Sequence, residues 1–278
     1  SVDSSANYCK SHPVTGGKQV VCENWRNLIS VGAKPLAITN CLNFGNPENE
    51  IIMGEFAECL EGIREACEFL SYPVVSGNVS FYNGTNKKNI NPTPVIGGVG
   101  LINKLVKPLS HNLKKDKSVL ILVGKSFGHL EQSCFLKENY SIASGMPPEI
   151  NLLNEKNNGE SVLKLIQNNL VLSCHDISSG GLIVALAEMA MSTPLGVKIQ
   201  KPKKLTNLYE YFFSEDQSRY VLEVDTINLT KVEKILKDSN IYFENIGFTQ
   251  KDLFEIEGEL KINVKELFKI NNEWYNKY

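Results

Sequence analysis

Four polar stretches of the chain hold residue types that could do chemistry. Asn40-Cys-Leu-Asn-Phe-Gly-Asn-Pro47 follows the short apolar run PLAIT at 35–39. A strand end running into Asn, Gly and Pro is where α/β proteins place ligand loops; the same composition also makes a plain turn. Gly77-Asn-Val-Ser-Phe-Tyr-Asn83 follows the run PVVS at 73–76. Gly77 permits close backbone approach to a ligand. Asn78 offers a carbonyl oxygen, a hard donor suited to Mg²⁺. Ser80 can hydrogen-bond a phosphate or a hydroxyl. If the segment is extended, alternation puts Asn78 and Ser80 on one face; a hairpin with a polar edge reads equally well. His175-Asp-Ile-Ser-Ser-Gly-Gly-Leu182 joins a strand to a helix. Adjacent His and Asp point opposite ways on an extended segment, which argues against a catalytic pair. Ser178 or Ser179 could cap the helix, whose first N–H groups could hold an anion; a structural junction is favoured. Ser214-Glu-Asp-Gln-Ser-Arg219 sets polar side chains where a binding loop would be, and surface solvation explains it about as well. The glycine-rich run 92–100 lacks the Lys-Ser/Thr of a P-loop and opens no helix, so it reads as a strand.

The elements that must position these stretches follow from periodicity. Helices are expected over 17–31, with Val20, Val21, Trp25, Leu28 and Ile29 on one face, and over 50–70, with Ile52, Phe56, Leu60, Ile63, Cys67 and Leu70 inside. Strands are expected at 35–39, at 73–76 as a short buried one, and at 94–102. The polar stretch 107–118, with four lysines and a proline, marks a boundary between domains 1–112 and 113–278. Beyond it, strands are expected at 118–123, 171–174, 220–224 and 241–248. Helices are expected at 161–167, 182–191 (apolar nearly all round, hence deeply buried) and 264–270. Thr230-Lys-Val-Glu233 reads as a capping box opening another. The fold class is α/β or α+β layers.

Composition excludes whole classes of function. The 278 residues are 42% hydrophobic and 22% charged, as in ordinary globular domains. With 29 basic and 31 acidic residues the net charge is -2, and only Arg26, Arg64 and Arg219 are arginines. No basic surface for nucleic acid is implied. No apolar run reaches the ~18 residues of a membrane span. The seven cysteines form no CxxC pair, and most read as reduced core residues of a cytoplasmic protein. The chain opens on Ser1 without a leader, as a piece of something longer would.

Taken in order, ITNCLNFGNPE, PVVSGNVSFYN, PTPVIGGVGL, GHLEQS, HDISSGGL and SEDQSRYV resemble the second half of phosphoribosylformylglycinamidine synthase, from Tyr8 to about Tyr220. The HDISSGGL block is shared more loosely with aminoimidazole ribonucleotide synthetase, selenophosphate synthetase and thiamin-monophosphate kinase. The resemblance implies a two-domain half of this ATP-binding superfamily. An N-terminal-type sheet domain would pair with its counterpart into a β-barrel, and a C-terminal-type α/β domain would follow. It implies ATP-dependent conversion of formylglycinamide ribonucleotide to the amidine with glutamine-derived ammonia, in purine biosynthesis. Gly77 then matches an ATP contact, Asn78 a Mg²⁺ ligand and Ser80 a contact to the ribonucleotide. Asn40 falls where the family usually has an ATP-contacting Asp. The family's general-base His and most of its acidic metal ligands belong to the missing first half. No catalytic residue is therefore expected in this chain, and His12, His111, His129 and His175 are not promoted to replace one. The 214–220 block is the pseudo-symmetric copy of a substrate-binding block, either structural or lining an auxiliary nucleotide site. Implied partners are the first half, a glutaminase subunit and a small accessory subunit, with a homodimer as substitute. Two other readings stay open: another synthetase or kinase of the superfamily, and a non-catalytic nucleotide-binding half.

Overall fold

The computed structural model describes residues 1–86, 88–103, 107–202 and 207–275. They divide into two compact units: residues 1–29, 33–102 and 129–156, and residues 30–32, 103–128 and 157–275.

The first unit carries β1 (Val2–Ser4), α1 (Ala6–Ser11), α2 (Pro13–Ser30), β2 (Lys34–Asn43), α3 (Glu50–Leu70), β3 (Val74–Ser80), the short pair β4 (Gly84–Thr85) and β5 (Lys88–Asn89), β6 (Thr93–Leu101) and α4 (Cys134–Tyr140). Four strands make one sheet in the order β1-β6-β2-β3, with β2 and β3 parallel and the other pairs antiparallel. Both main helices form where periodicity places them. Val20, Val21 and Ile29 of α2 are fully buried, as are Cys59 and Ala66 of α3. The Asn49 side chain caps α3 by accepting from Ile51 N, and Ser71 ends it in a left-handed turn. Against the sheet, Asn24 of α2 donates to Ile96 O (3.1 Å) and accepts from the Tyr72 hydroxyl (2.9 Å). A Cβ on Gly98 would lie 1.8 Å from Asn24 Oδ1, so only glycine lets the helix approach this closely.

Two expectations change here. The strand at 35–39 does not stop before the Asn-rich motif; β2 runs through Asn43, because it is central and β6 and β3 both pair with it that far. The strand at 73–76 is not buried. Val74, Val75 and Val79 are 45%, 69% and 45% exposed, because β3 is the outer strand of the sheet.

The second unit carries β7 (Val119–Val123), β8 (Ser173–Asp176), α6 (Gly181–Met191), β9 (Leu195–Ile199), α7 (Leu208–Phe213), β10 (Tyr220–Val224), α8 (Leu229–Asp238), β11 (Phe243–Lys251), β12 (Leu253–Ile256), β13 (Leu260–Asn263) and α9 (Val264–Glu273); α5 (Leu152–Gln167) enters it from residue 157. Its sheet has the order β13-β12-β9-β11-β7-β10-β8, antiparallel except between β12 and β9. Leu182, Leu186 and Met189 of α6 pack in one core with Leu120, Leu122, Val197, Val221 and Phe254. That helix is not buried all round, since Val184 and Glu188 reach solvent. The capping box at Thr230 does not form. Asp225 accepts from Ile227 N at the start of a 3₁₀ turn, and α8 already begins at Leu229. None of the seven cysteines is in a disulfide; five are buried, Cys41 is half-buried and Cys134 is exposed. Among the described residues no helix is long and apolar enough to cross a membrane.

Candidate functional site

The two Asn-rich motifs meet through strand register. Asn40 of β2 stands opposite Gly77 of β3, Cys41 opposite Asn78, and Asn43 opposite Ser80. Paired residues of neighbouring strands share a face, and successive residues alternate. Asn40 and Gly77 therefore lie on one face, Asn78 and Ser80 on the other. Asn78 and Ser80 share a face, as alternation requires.

On the first face, the space left by the missing Gly77 side chain is filled by Asn40. A Cβ there would fall 1.9 Å from Asn40 Oδ1. This face looks toward α3, and Asn40 lines an apolar cleft with Ile63, Arg64, Cys67, Tyr72 and Val74. At its rim Arg64 pairs with Glu61 and with Glu68 (2.7 Å). On the second face, Asn78 is exposed among neutral groups. Ser76 Oγ donates to Thr39 Oγ1 (2.8 Å), and Asn43 Nδ2 donates to Cys41 O (3.1 Å) and Thr93 O (3.3 Å).

The loops at the end of these strands are braced by aromatic packing. The Phe44 and Phe81 rings each meet Phe56 of α3 edge-to-face, with centroids 5.1 Å apart.

In the second unit the remaining motifs are tied into the fold by hydrogen bonds. Glu215 Oε1 accepts from Gly180 N (2.8 Å) at the start of α6, so the protein's own carboxylate occupies the place an anion would take. Gly180, not Ser178 or Ser179, holds the N-cap position. The 214–219 stretch is not solvated surface: all six residues are buried. Asp216 Oδ2 accepts from Phe127 N (2.7 Å) and Gly128 N (2.9 Å). Arg219 donates to Asp216 O (2.9 Å), Ser214 O (2.6 Å) and Ser126 Oγ (2.9 Å). Its polarity is spent inside the fold, a use that no local sequence signal distinguishes from a binding loop.

His175 does come within reach of its neighbour, because Asp176 is the last residue of β8: Nδ1 lies 3.4 Å from Asp176 Oδ1, and Nε2 lies 3.0 Å from Glu188 Oε2. Burial alone would lower its pKa, but the two carboxylates hold it up at about 9. The neighbouring His111 is pushed below its ordinary value by burial and by His175. A raised folded-state pKa stabilises the fold fully below the unfolded value of about 6.5, and that stability is lost as pH rises through about 9. We expect the thermal midpoint to fall between these pH values, by the equivalent of about 1–2 kcal/mol once solvent screening at Glu188 is allowed for. Glu188→Gln should flatten the slope. Thermal melts of both proteins across this range check it, and a parent midpoint independent of pH refutes it.

Comparison with known proteins places this geometry. The AIR synthase related protein N-terminal domain matches residues 1–102, and the corresponding C-terminal domain matches residues 116–256. The chain belongs to the AIR synthase related protein family. Over all 278 residues it is 50% identical to phosphoribosylformylglycinamidine synthase subunit PurL of Pelagibacter ubique, and it spans 38% of that protein's length. Solved structures of Thermotoga maritima PurL share the fold. The one complexed with FGAR superposes with a TM-score of 0.74 at 17% identity, covering 96% of this chain and 45% of that one. The one complexed with ATP gives 0.70 at 17% identity, covering 96% and 43%. Within this family the N-terminal-domain match falls in the first unit except for residues 30–32, and β7 to β12 of the second unit fall in the C-terminal-domain match.

Proposed function

We propose that the chain is the ATP-contributing second half of a cytoplasmic ligase that converts formylglycinamide ribonucleotide to formylglycinamidine ribonucleotide. Ammonia from a glutaminase partner would be the nitrogen source. The observation that carries this reading is the 50% identity with a PurL subunit across the whole chain. ATP supplies the phosphoryl group that activates the formyl amide oxygen, and ammonia then displaces the phosphate.

This chain's share of the work is binding. Asn40 and Gly77 would meet ATP on the α3 side of the sheet. The Asn40 carboxamide keeps an acceptor oxygen but lacks the charge of an Asp there. Asn78 fits Mg²⁺ as one neutral oxygen ligand. Among the described residues no three His, Cys, Asp or Glu side chains are placed to hold a metal ion. The anionic ligands would therefore come from nucleotide phosphates and from the first half. Ser80 would hydrogen-bond the ribonucleotide.

The same sheet face exposes Val2, Val99 and Leu101, which are 72%, 63% and 64% accessible. Pairing with the first half would bury them, and a second copy of this chain would cover them in its place. The test is turnover. Joined to the first half, the chain should release ADP from ATP when the ribonucleotide and ammonia are present, and form the amidine; alone it should do neither. ADP release by the isolated chain with ribonucleotide, or none by the joined protein, overturns the reading.

A further inference from the structure

Asn83 ends the second Asn-rich motif, just beyond β3, where Tyr82 reverses the chain at φ +60. Its side chain ties together three groups. Nδ2 lies 2.9 Å from Ser80 O, 3.0 Å from Phe44 O and 3.2 Å from Ser80 Oγ. Carbonyl oxygens only accept, so the two carbonyl contacts orient the carboxamide with its NH₂ toward them. Oδ1 is then left 3.3 Å from Ser80 Oγ. The backbone repeats the clamp: Asn83 N donates to Phe44 O (3.2 Å), Phe44 N donates to Ser80 O (3.0 Å), and Tyr82 N donates to Gly45 O (2.9 Å). Phe81, between the two residues, is held against Phe56. The segment carrying Ser80 is therefore fixed to the loop after β2 by one carboxamide and a short ladder.

This arrangement decides what the Ser80 hydroxyl can do. A hydroxyl has one hydrogen to give and lone pairs to accept with. Nδ2 has two hydrogens for the carbonyls of Ser80 and Phe44, so its contact to Ser80 Oγ is a shared, three-centre one that leaves Ser80 its own hydrogen. That hydrogen points to Asn83 Oδ1 or rotates to an incoming acceptor, while Oγ stays anchored.

We propose that Asn83 is a positioning residue that presents the Ser80 hydroxyl as a hydrogen-bond donor to the ribonucleotide. The inference rests on the reading that Ser80 meets that substrate. The decisive substitution is Asn83→Asp, nearly isosteric but unable to donate. It loses the bonds to both carbonyls and draws the Ser80 hydrogen inward.

The experiment measures KM for ribonucleotide and for ATP separately in the full two-half enzyme, with Asn83→Asp, Ser80→Ala and the double variant beside the parent. We expect Asn83→Asp to raise the ribonucleotide KM about tenfold, as loss of one charge-oriented hydrogen bond does. The ATP KM, read at saturating Mg²⁺ because Asn78 shares the Ser80 face, should stay within about twofold, since Asn40 and Gly77 use the opposite face. The double variant should be no worse than the poorer single one. Equal rises in both KM values, as a loosened fold would produce, overturn the proposal. So does an unchanged ribonucleotide KM in Asn83→Asp beside a raised one in Ser80→Ala. A normal ribonucleotide KM in Ser80→Ala instead refutes the assignment of Ser80 itself. If Asn83→Asp does not fold, the side-chain amide resonance of Asn83 in the unaltered enzyme decides. It should shift on titration with the ribonucleotide and not with ATP; no shift with the ribonucleotide overturns the proposal.

Discussion

Replacing Gly77 by alanine is expected to push the Asn40 carboxamide out of its place and to destabilise the first unit by about 1–3 kcal/mol, as overpacking does. The new methyl would fall 1.9 Å from Asn40 Oδ1 and 2.8 Å from Asn40 O. The side-chain clash can be relieved by rotation, whereas the backbone contact cannot without separating β2 from β3. In the full two-half enzyme the substitution should also weaken ATP binding, because it moves Asn40, which lines the cleft that would meet the nucleotide. The check is a double-mutant cycle on thermal stability. Removing the carboxamide with Asn40→Ala should recover roughly 1 kcal/mol of the loss, a coupling of the size seen for residues in contact. An equal cost of Gly77→Ala in both backgrounds would mean that the two residues do not share this space.

The largest loss is expected at Arg219. This side chain is fully buried, and it donates to Ser126 Oγ and to the carbonyls of Ser214 and Asp216. Arg219→Met keeps the volume of the stem but leaves those acceptors in a dry interior. Each such group costs about 1–3 kcal/mol, and removing one member of a buried charged network costs about 3–5 kcal/mol. We expect a loss in that upper range, with the 126–128 loop released from Asp216 as the network loosens. Chemical denaturation and amide exchange at Phe127 and Gly128 measure both effects. A variant within 1 kcal/mol of the parent, or one with unchanged protection at those amides, would sink this account of the motif.

How far the sequence could be read depends on how local the determining physics is. The helix at 50–70 was legible to the residue, because its apolar stripe, its Asn49 cap and its Ser71 stop all lie within one stretch. The same holds for the shared face of Asn78 and Ser80, which needs only the two-residue period of an extended chain. The short strands β9, β12 and β13 escaped notice. Each has only four or five residues, and β12 and β13 follow one another across a tight turn. Their identity as strands rests on partners elsewhere in the sheet.

By itself, then, the sequence determined the main helices and the family, and it put forward Asn40, Gly77, Asn78 and Ser80 as the residues proposed to bind. Only the tertiary structure decided which side of the sheet each one serves. Asn40 looked like a loop residue because Asn, Gly and Pro surround it. Pairing with a strand 37 residues away made it part of the sheet and set it over Gly77. The 214–219 stretch looked like surface because it is polar. Asp216 and Arg219 find partners up to 93 residues distant inside the fold, while the Ser214 hydroxyl is buried without a hydrogen-bond partner. The physical reason is the same in both cases. A polar side chain carries no local mark of whether water, a ligand or the protein's own backbone completes its hydrogen bonds, and only the fold supplies the partner.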